Sequence, residues 1–348
     1  MTPATRGGLW HHRDFRRLWI GDTVSQLGTS VSRLALPLSA LIGQLFAVAF
    51  VTGASTVFFD VGYQSYLPEL IDRDDLVEGN AKLQASQSVA MVTGPSIGGG
   101  PVQALTAPYA LVIDALSFLW SAAWINAIRA RPARAERLPG RSLRRNIAEG
   151  LRFVWGNRPL RAITLTTGIS NLFGSASSVL LIVLLARTLG LPPGLIGLTT
   201  SASAVGGLLG AAVAARVARK IGQGPAICWS AAVAVQAGLA APFVHRDWSF
   251  VLLLVSLFVF GAAGVIYNIT QVSFRQRLCP PALIGRMNAT IRFIVFGAMP
   301  LGGLLGGALG SGIGVRPALL VTAFAELLAL VPAFASPLPR MRELPTAA

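Results

Sequence analysis

Apolar runs of membrane length recur along the whole chain, separated by short polar segments. A helix needs about 20 apolar residues to cross the hydrocarbon core of a bilayer. Ten such segments can be marked, at 18–41, 44–66, 80–104, 108–128, 161–187, 194–218, 224–244, 248–274, 288–312 and 316–337. Charged or helix-breaking sequences bound them. RRLW opens the first, PELIDRDDLVEGN separates the second from the third, and TAPYA precedes the fourth. LGLPPGL follows the fifth, KIGQGP the sixth, and HRDW precedes the eighth. One junction is anomalous. The apolar stretch from Leu18 to Tyr66 is too long for one span, yet no ordinary polar loop divides it, and no residue between Arg33 and Asp60 is charged.

Composition agrees with the pattern. Of 348 residues, 53% are hydrophobic and 12% are charged, against about 25% charged in a soluble domain. The chain therefore reads as an all-α polytopic membrane protein. Its net charge of +15 lies in short runs between spans, among them TRGGLWHHRDFRR, RARPARAERLPGRSLRRN, RVARK, RQR and PRMR. Alternate loops hold most of them, which is the positive-inside bias. It argues for membrane topology and against a nucleic-acid partner. The N-terminal tail, 66–80, 129–160, 219–224, 275–287 and the C-terminal tail are then cytoplasmic, with the turns near 42, 106, 190, 246 and 314 outside. Both termini are expected on the cytoplasmic side of a cell (inner or plasma) membrane.

Some chemistry is excluded at this level. Cys228 and Cys279 make no disulfide framework, and His11, His12 and His245 have no metal-ligand spacing. The first apolar segment lacks a cleavable small-residue site and reads as a span, not a signal peptide. The glycine run GAMPLGGLLGGALGSGIG follows no strand and reads as close helix packing, not as a dinucleotide loop.

The chain repeats itself. An ungapped shift of 208 residues brings Phe50, Val51, Gly53 and Ala54 onto Phe258, Val259, Gly261 and Ala262. It also brings Asn80 onto Asn288, and Gly94, Gly98 and Gly99 onto Gly302, Gly306 and Gly307, with Asp60 meeting Asn268. The first span matches at a shift of 145, Ser25, Ser30 and Ser32 meeting Ser170, Ser175 and Ser177. The N-terminal half is therefore shorter by about 63 residues, the interval that in the second half holds the spans at 194–218 and 224–244. Two helices are missing near Ala40 to Gln44, which explains the anomalous junction. The organisation that follows is an N-terminal half at 1–128, a cytoplasmic linker at 129–160 with an amphipathic helix in NIAEGLRFVWGNRPLR, a six-helix half at 161–337, and a tail at 338–348.

Several stretches sharpen this. FRRLWIGDTVSQLGTSVSRLALPL, TGASTVFFDVGYQSYLPELIDRDDLVEGNAKLQASQSVAMVTGPSIGGG and EGLRFVWGNRPLRAI resemble the major facilitator superfamily, in its drug and siderophore exporter branch. The resemblance runs from Arg13 to about Pro337 and implies a two-half helical bundle, here with about ten spans instead of twelve. It implies an antiporter motif at Gly94, Pro95, Gly98 and Gly99. It also implies a cytoplasmic gate turn at Gly210, Arg216, Arg219 and Lys220, with Ala214 or Ala215 where an acidic partner is usual. The N-half copy of that turn falls in the missing interval.

Ionisable and polar groups inside spans are costly and default to functional candidates. Asp60, Arg33, Gln64, Asn268, Gln271 and Arg292 are the proton and substrate candidates, with Asp60 the first choice for a proton carrier. Glu326, on a helix that is peripheral in the resembled family, is expected to form a structural ion pair. The expected function is proton-coupled efflux of small organic molecules, amphipathic or cationic, by alternating access. No cofactor beyond the proton gradient is expected, no enzymatic activity, and a monomer in the lipid bilayer. The competing expectation is a shortened, transport-defective remnant or membrane scaffold.

Overall fold

The structure, a computed structural model, describes residues 13–23, 67–68, 70–72, 75–105, 120, 123 and 143–342. Two compact units divide the chain, Met1–Leu138 and Pro139–Ala348. Arg33, Asp60 and Gln64, and the junction at Ala40 to Gln44, lie outside the described residues.

In the first unit, residues 13–23 are helical and α1 runs over Leu76–Leu105. Phe15, Leu18, Leu67, Ile71, Leu76 and Leu83 form its described core. Gly94, Pro95, Gly98 and Gly99 lie within α1, which continues through them without a break.

The second unit begins with α2 (Leu143–Gly156). It continues with α3 (Arg158–Val183), α4 (Pro193–Ile221), α5 (Gln223–Gly238), α6 (Ser249–Leu278), α7 (Ile284–Ile313), α8 (Val315–Glu326) and the short α9 (Leu330–Phe334). Six segments are long and apolar enough to cross a membrane: Arg158–Thr188, Gly194–Ile221, Gln223–Phe243, Ser249–Leu278, Ile284–Ile313 and Val315–Phe334. They coincide with the six spans read from the second half of the sequence.

Local chemistry sets the helix ends. Asn157 caps α3, its side chain accepting from the Leu160 N–H at 3.2 Å, and Pro159 stands in the first turn, where its missing donor costs nothing. The α4–α5 reversal is made at Gly222, whose φ of +92° few other residues adopt.

The repeat read from the sequence has a structural counterpart. Shifting α1 by 208 residues takes Leu76 onto Ile284 and Leu105 onto Ile313, so both ends of α1 fall on both ends of α7.

The most extensive pairings of the second unit are α4 with α6, α3 with α7 and α5 with α6. The first two are seams of small residues. A Cβ on Gly206 would strike the Phe258 carbonyl oxygen, one on Gly210 the Ala262 backbone, and one on Gly261 the Ser203 carbonyl. Across the other seam, Gly302 meets the Leu172 carbonyl, and a Cβ on Gly306 would lie 2.7 Å from the Ala176 oxygen. Apolar side chains give little drive for association within lipid, so close backbone approach supplies it. The outer surface is correspondingly apolar, with Phe293, Leu304 and Val331 exposed.

Two segments read as polar connections are built into the bundle. α2 docks on the first turns of α7, burying Val154 with Met287 and Ile291, while Ile147 and Trp155 stay exposed. The start of the expected tail forms a 3-10 turn at Leu338–Arg340 and closes over the α4–α5 reversal. Leu338 is fully buried, and the Gly224 N–H donates to the Met341 carbonyl at 3.2 Å.

Candidate transport site

α3 turns a polar stripe inward: Thr167, Ser170, Asn171, Gly174 and Ser178 follow helical spacing and line one wall of a cavity of about 390 Å³. α6 contributes Tyr267 and Asn268 to the same cavity, and α8 contributes Glu326. Threonine and asparagine on α3 spend part of their bonding capacity locally. Thr167 donates to the Ile163 carbonyl at 2.8 Å, and Asn171 Nδ2 donates to the Thr167 carbonyl at 2.8 Å. The Thr167 and Tyr267 hydroxyls lie 2.7 Å apart and join α3 to α6. Ser177 donates to the Thr322 hydroxyl at 2.9 Å and joins α3 to α8.

Among the described residues, Glu326 is the charged group that lines this cavity. It is 6% exposed and forms no ion pair or hydrogen bond with its side chain among the described residues, so the ion pair expected for it is absent there. Two glycines make room for it. A Cβ on Gly174 would stand 3.7 Å from Glu326 Oε1, and one on Gly238 3.7 Å from Oε2. The carboxylate thus sits between α3 and the end of α5. Its own helix changes character at this point: α8 ends at Glu326 and tightens into a 3-10 turn over Leu327–Ala329. A charged group held this deep is costly to leave without a partner.

The other candidates separate. Asn268 lines the cavity. Gln271, one turn further along α6, is buried with its Oε1 unbonded among the described residues and does not line it. Arg292 on α7 is half-buried, its guanidinium 5.4 Å from the centre of the Phe296 ring. Arg216, Arg219 and Lys220 are exposed on the last turns of α4, while Gly210 lies in the seam against α6. Ala214, one of the two positions where an acidic partner is usual, is fully buried. Sequence reasoning ranked Glu326 as peripheral. The signal for it lay in Gly174 and Gly238, which become meaningful only when three helices converge.

Six spans with a polar, carboxylate-bearing cavity among them are the arrangement of a membrane transporter. Solved structures agree on the fold. A bacterial homologue of the iron transporter ferroportin in an outward-facing state superposes with a TM-score of 0.68 at 17% identity, over 94% of this chain and 86% of that one. The fucose:proton symporter FucP of E. coli superposes with a TM-score of 0.62 at 14% identity, over 95% of this chain and 84% of that one. The chain belongs to the transmembrane secretion effector family, whose profile matches residues 38–348. Among relatives, the multidrug efflux pump Tap of Mycolicibacterium fortuitum is 29% identical over 339 residues, covering 92% of this chain and 80% of the pump. Tap of Mycobacterium tuberculosis is 29% identical over 329 residues, covering 91% and 73%. The protein is a multi-pass membrane efflux transporter of the major facilitator superfamily, not an enzyme.

Proposed function

We propose that this transporter exports small organic molecules, amphipathic or cationic, by alternating access coupled to proton entry, with Glu326 as a proton-carrying carboxylate. The observation that carries this is a 6% exposed carboxylate facing a polar cavity with no partner of its own among the described residues. Proton binding removes the cost of burying its charge. A cationic substrate removes the same cost by pairing, so the two compete for one group. Asn268 and Tyr267 then orient the substrate, and Asp60 and Arg33 remain candidates in the N-terminal half. No cofactor beyond the proton gradient is needed. The protein acts as a monomer in the cell membrane with both termini cytoplasmic, and the exposed basic turn at Arg216, Arg219 and Lys220 supports that orientation.

The unequal shifts of the internal repeat favour a second reading. With two N-half helices missing, the chain is a shortened, transport-defective remnant or a membrane scaffold.

One experiment separates the readings. The purified protein is reconstituted in liposomes with a lipophilic cationic dye, and a pH gradient is imposed. Gradient-driven dye movement that Glu326→Gln abolishes supports the exporter and the role of Glu326. Full gradient response in Glu326→Gln refutes that role. No dye movement by folded, correctly inserted wild type supports the remnant.

A further inference from the structure

A second cavity, of about 720 Å³, lies where α3 begins and where the chain leaves α9. It combines two kinds of wall. Arg158, Arg161 and Arg340 bring three guanidinium groups to it, and among the described residues no acidic one lines it. Leu165, Pro332 and Phe334 supply apolar surface. Arg161 donates to the Trp155 carbonyl at 3.4 Å, while the guanidinium groups of Arg158 and Arg340 bond nothing among the described residues. All three arginines are exposed.

The two walls are ordered along the bundle axis. Arg158 starts a membrane span, and Leu165 lies about two turns deeper on it. On the facing side, Phe334 ends a span, and Arg340 lies beyond it. Charge therefore stands at the mouth and apolar surface toward the bilayer core. Trp229, 60% exposed, packs edge-on against Phe334 with ring centres 5.7 Å apart and extends the apolar wall into the lipid-facing surface. Amphipathic aromatic rings of this kind favour the membrane–water boundary.

We propose that this cavity is a binding site for an anionic phospholipid. Its phosphodiester engages Arg158, Arg161 and Arg340, and an acyl chain lies along Leu165 and Phe334. Guanidinium groups suit phosphate oxygens, which they can grip through paired N–H donors. A zwitterionic headgroup would bring its own cation among three others. A free phosphate would leave the apolar wall uncovered. The wall carrying Arg340 is the same segment that closes over the α4–α5 reversal, so an occupied cavity also holds that closure in place. The proposal needs the membrane setting and not the transport reading, so its test is binding alone.

The full chain is purified in detergent and titrated with phosphatidylglycerol, phosphatidylcholine or inorganic phosphate, with bound lipid counted by native mass spectrometry. The expected result is one phosphatidylglycerol per chain, held about tenfold more tightly than phosphatidylcholine. The preference disappears in R158Q/R161Q/R340Q. Equal binding of the two lipids overturns the proposal, as does an undiminished preference in the triple variant. Displacement of phosphatidylglycerol by inorganic phosphate would assign the arginines to a free anion and overturns the lipid assignment. R340Q alone lies outside the spans and guards against misfolding. It should melt as wild type does and still bind phosphatidylglycerol several-fold more weakly; unchanged binding there also refutes the site.

Discussion

The hydroxyls of Tyr267 on α6 and Thr167 on α3 stand 2.7 Å apart at the wall of the candidate transport cavity. The Thr167 hydroxyl donates its one proton to the Ile163 carbonyl at 2.8 Å, which makes Tyr267 the donor between the two hydroxyls. Tyr267→Phe should cost about 1 kcal/mol, the net worth of one such bond, and lower the melting midpoint in detergent by a few degrees. Thr167→Val should cost at least as much, since it also removes the bond to the Ile163 carbonyl. Because both changes break the bond between the hydroxyls, the double variant should lose clearly less than the two single losses combined. Fully additive losses would show that the pair does not couple α3 to α6.

The glycines of α7 allow a sharper contrast. Gly302 is buried against the Leu172 carbonyl, whereas a Cβ on Gly307 meets no atom within 4 Å. Gly302→Val should force α7 off α3 and destabilise by roughly 1–3 kcal/mol or more, as overpacking does. Gly307→Ala should leave packing intact and gain about 0.5–1 kcal/mol through helix propensity. Thermal unfolding of the two variants in one detergent decides it, and equal effects would refute the seam.

These two glycines also mark what the sequence could reveal. Hydropathy and charge located the six spans of the second half to within a few residues, because each apolar core is flanked by a turn or a cation. It placed the start of α7 at 288, four residues after Ile284, because a helix carries its charged first turn, here with Arg286, beyond the bilayer core. The shift of 208 residues was legible, since it rests on identical residues, and it reappears in the matching ends of α1 and α7. The place of Glu326 at the cavity is not legible in the sequence. Its meaning depends on Gly174 and Gly238 arriving from two other helices, and no periodicity records that convergence. The turn at Leu338–Arg340 reads as tail because three residues, preceded by Pro337 and holding Pro339, carry no helical period. Asp60, Arg33 and Gln64 lie outside the described residues.

The two cysteines report on packing. Cys279, just past the end of α6, is 1% exposed among Ile284 and Met287, and burial pushes its thiol up to about 12. Cys228, inside α5, is fully buried and donates to the Ala333 carbonyl at 3.7 Å. The thiolate is the reactive form. A raised folded-state value means that the protonated thiol favours the fold. That contribution is complete below about pH 8.5, the value of a free cysteine, and declines as the pH rises from there toward about 12. N-ethylmaleimide should label neither cysteine of the folded protein at pH 7, and both after denaturation. Labelling of native Cys279 at the rate of a free thiol would overturn its burial.

Docking of α2 on α7 rests on shape more than on charge. Glu149 and Arg286 pair at 2.8 Å, but their side chains are 36% and 31% exposed. A half-solvated pair of this kind contributes about 0–1 kcal/mol and is screened by salt. Gly150 is different: a Cβ there would lie 2.6 Å from Thr290 Oγ1 and 2.9 Å from the Arg286 carbonyl oxygen. Any larger side chain must move α2 away from α7. Glu149→Gln should therefore leave the tryptic pattern almost unchanged, whereas Gly150→Leu should speed cleavage after Arg152, which Phe153 follows. Limited trypsin digestion of both variants, at low and high salt, makes the comparison. Faster cleavage in Glu149→Gln than in Gly150→Leu, or wild-type digestion that accelerates strongly with salt, would show that charge holds the helix instead.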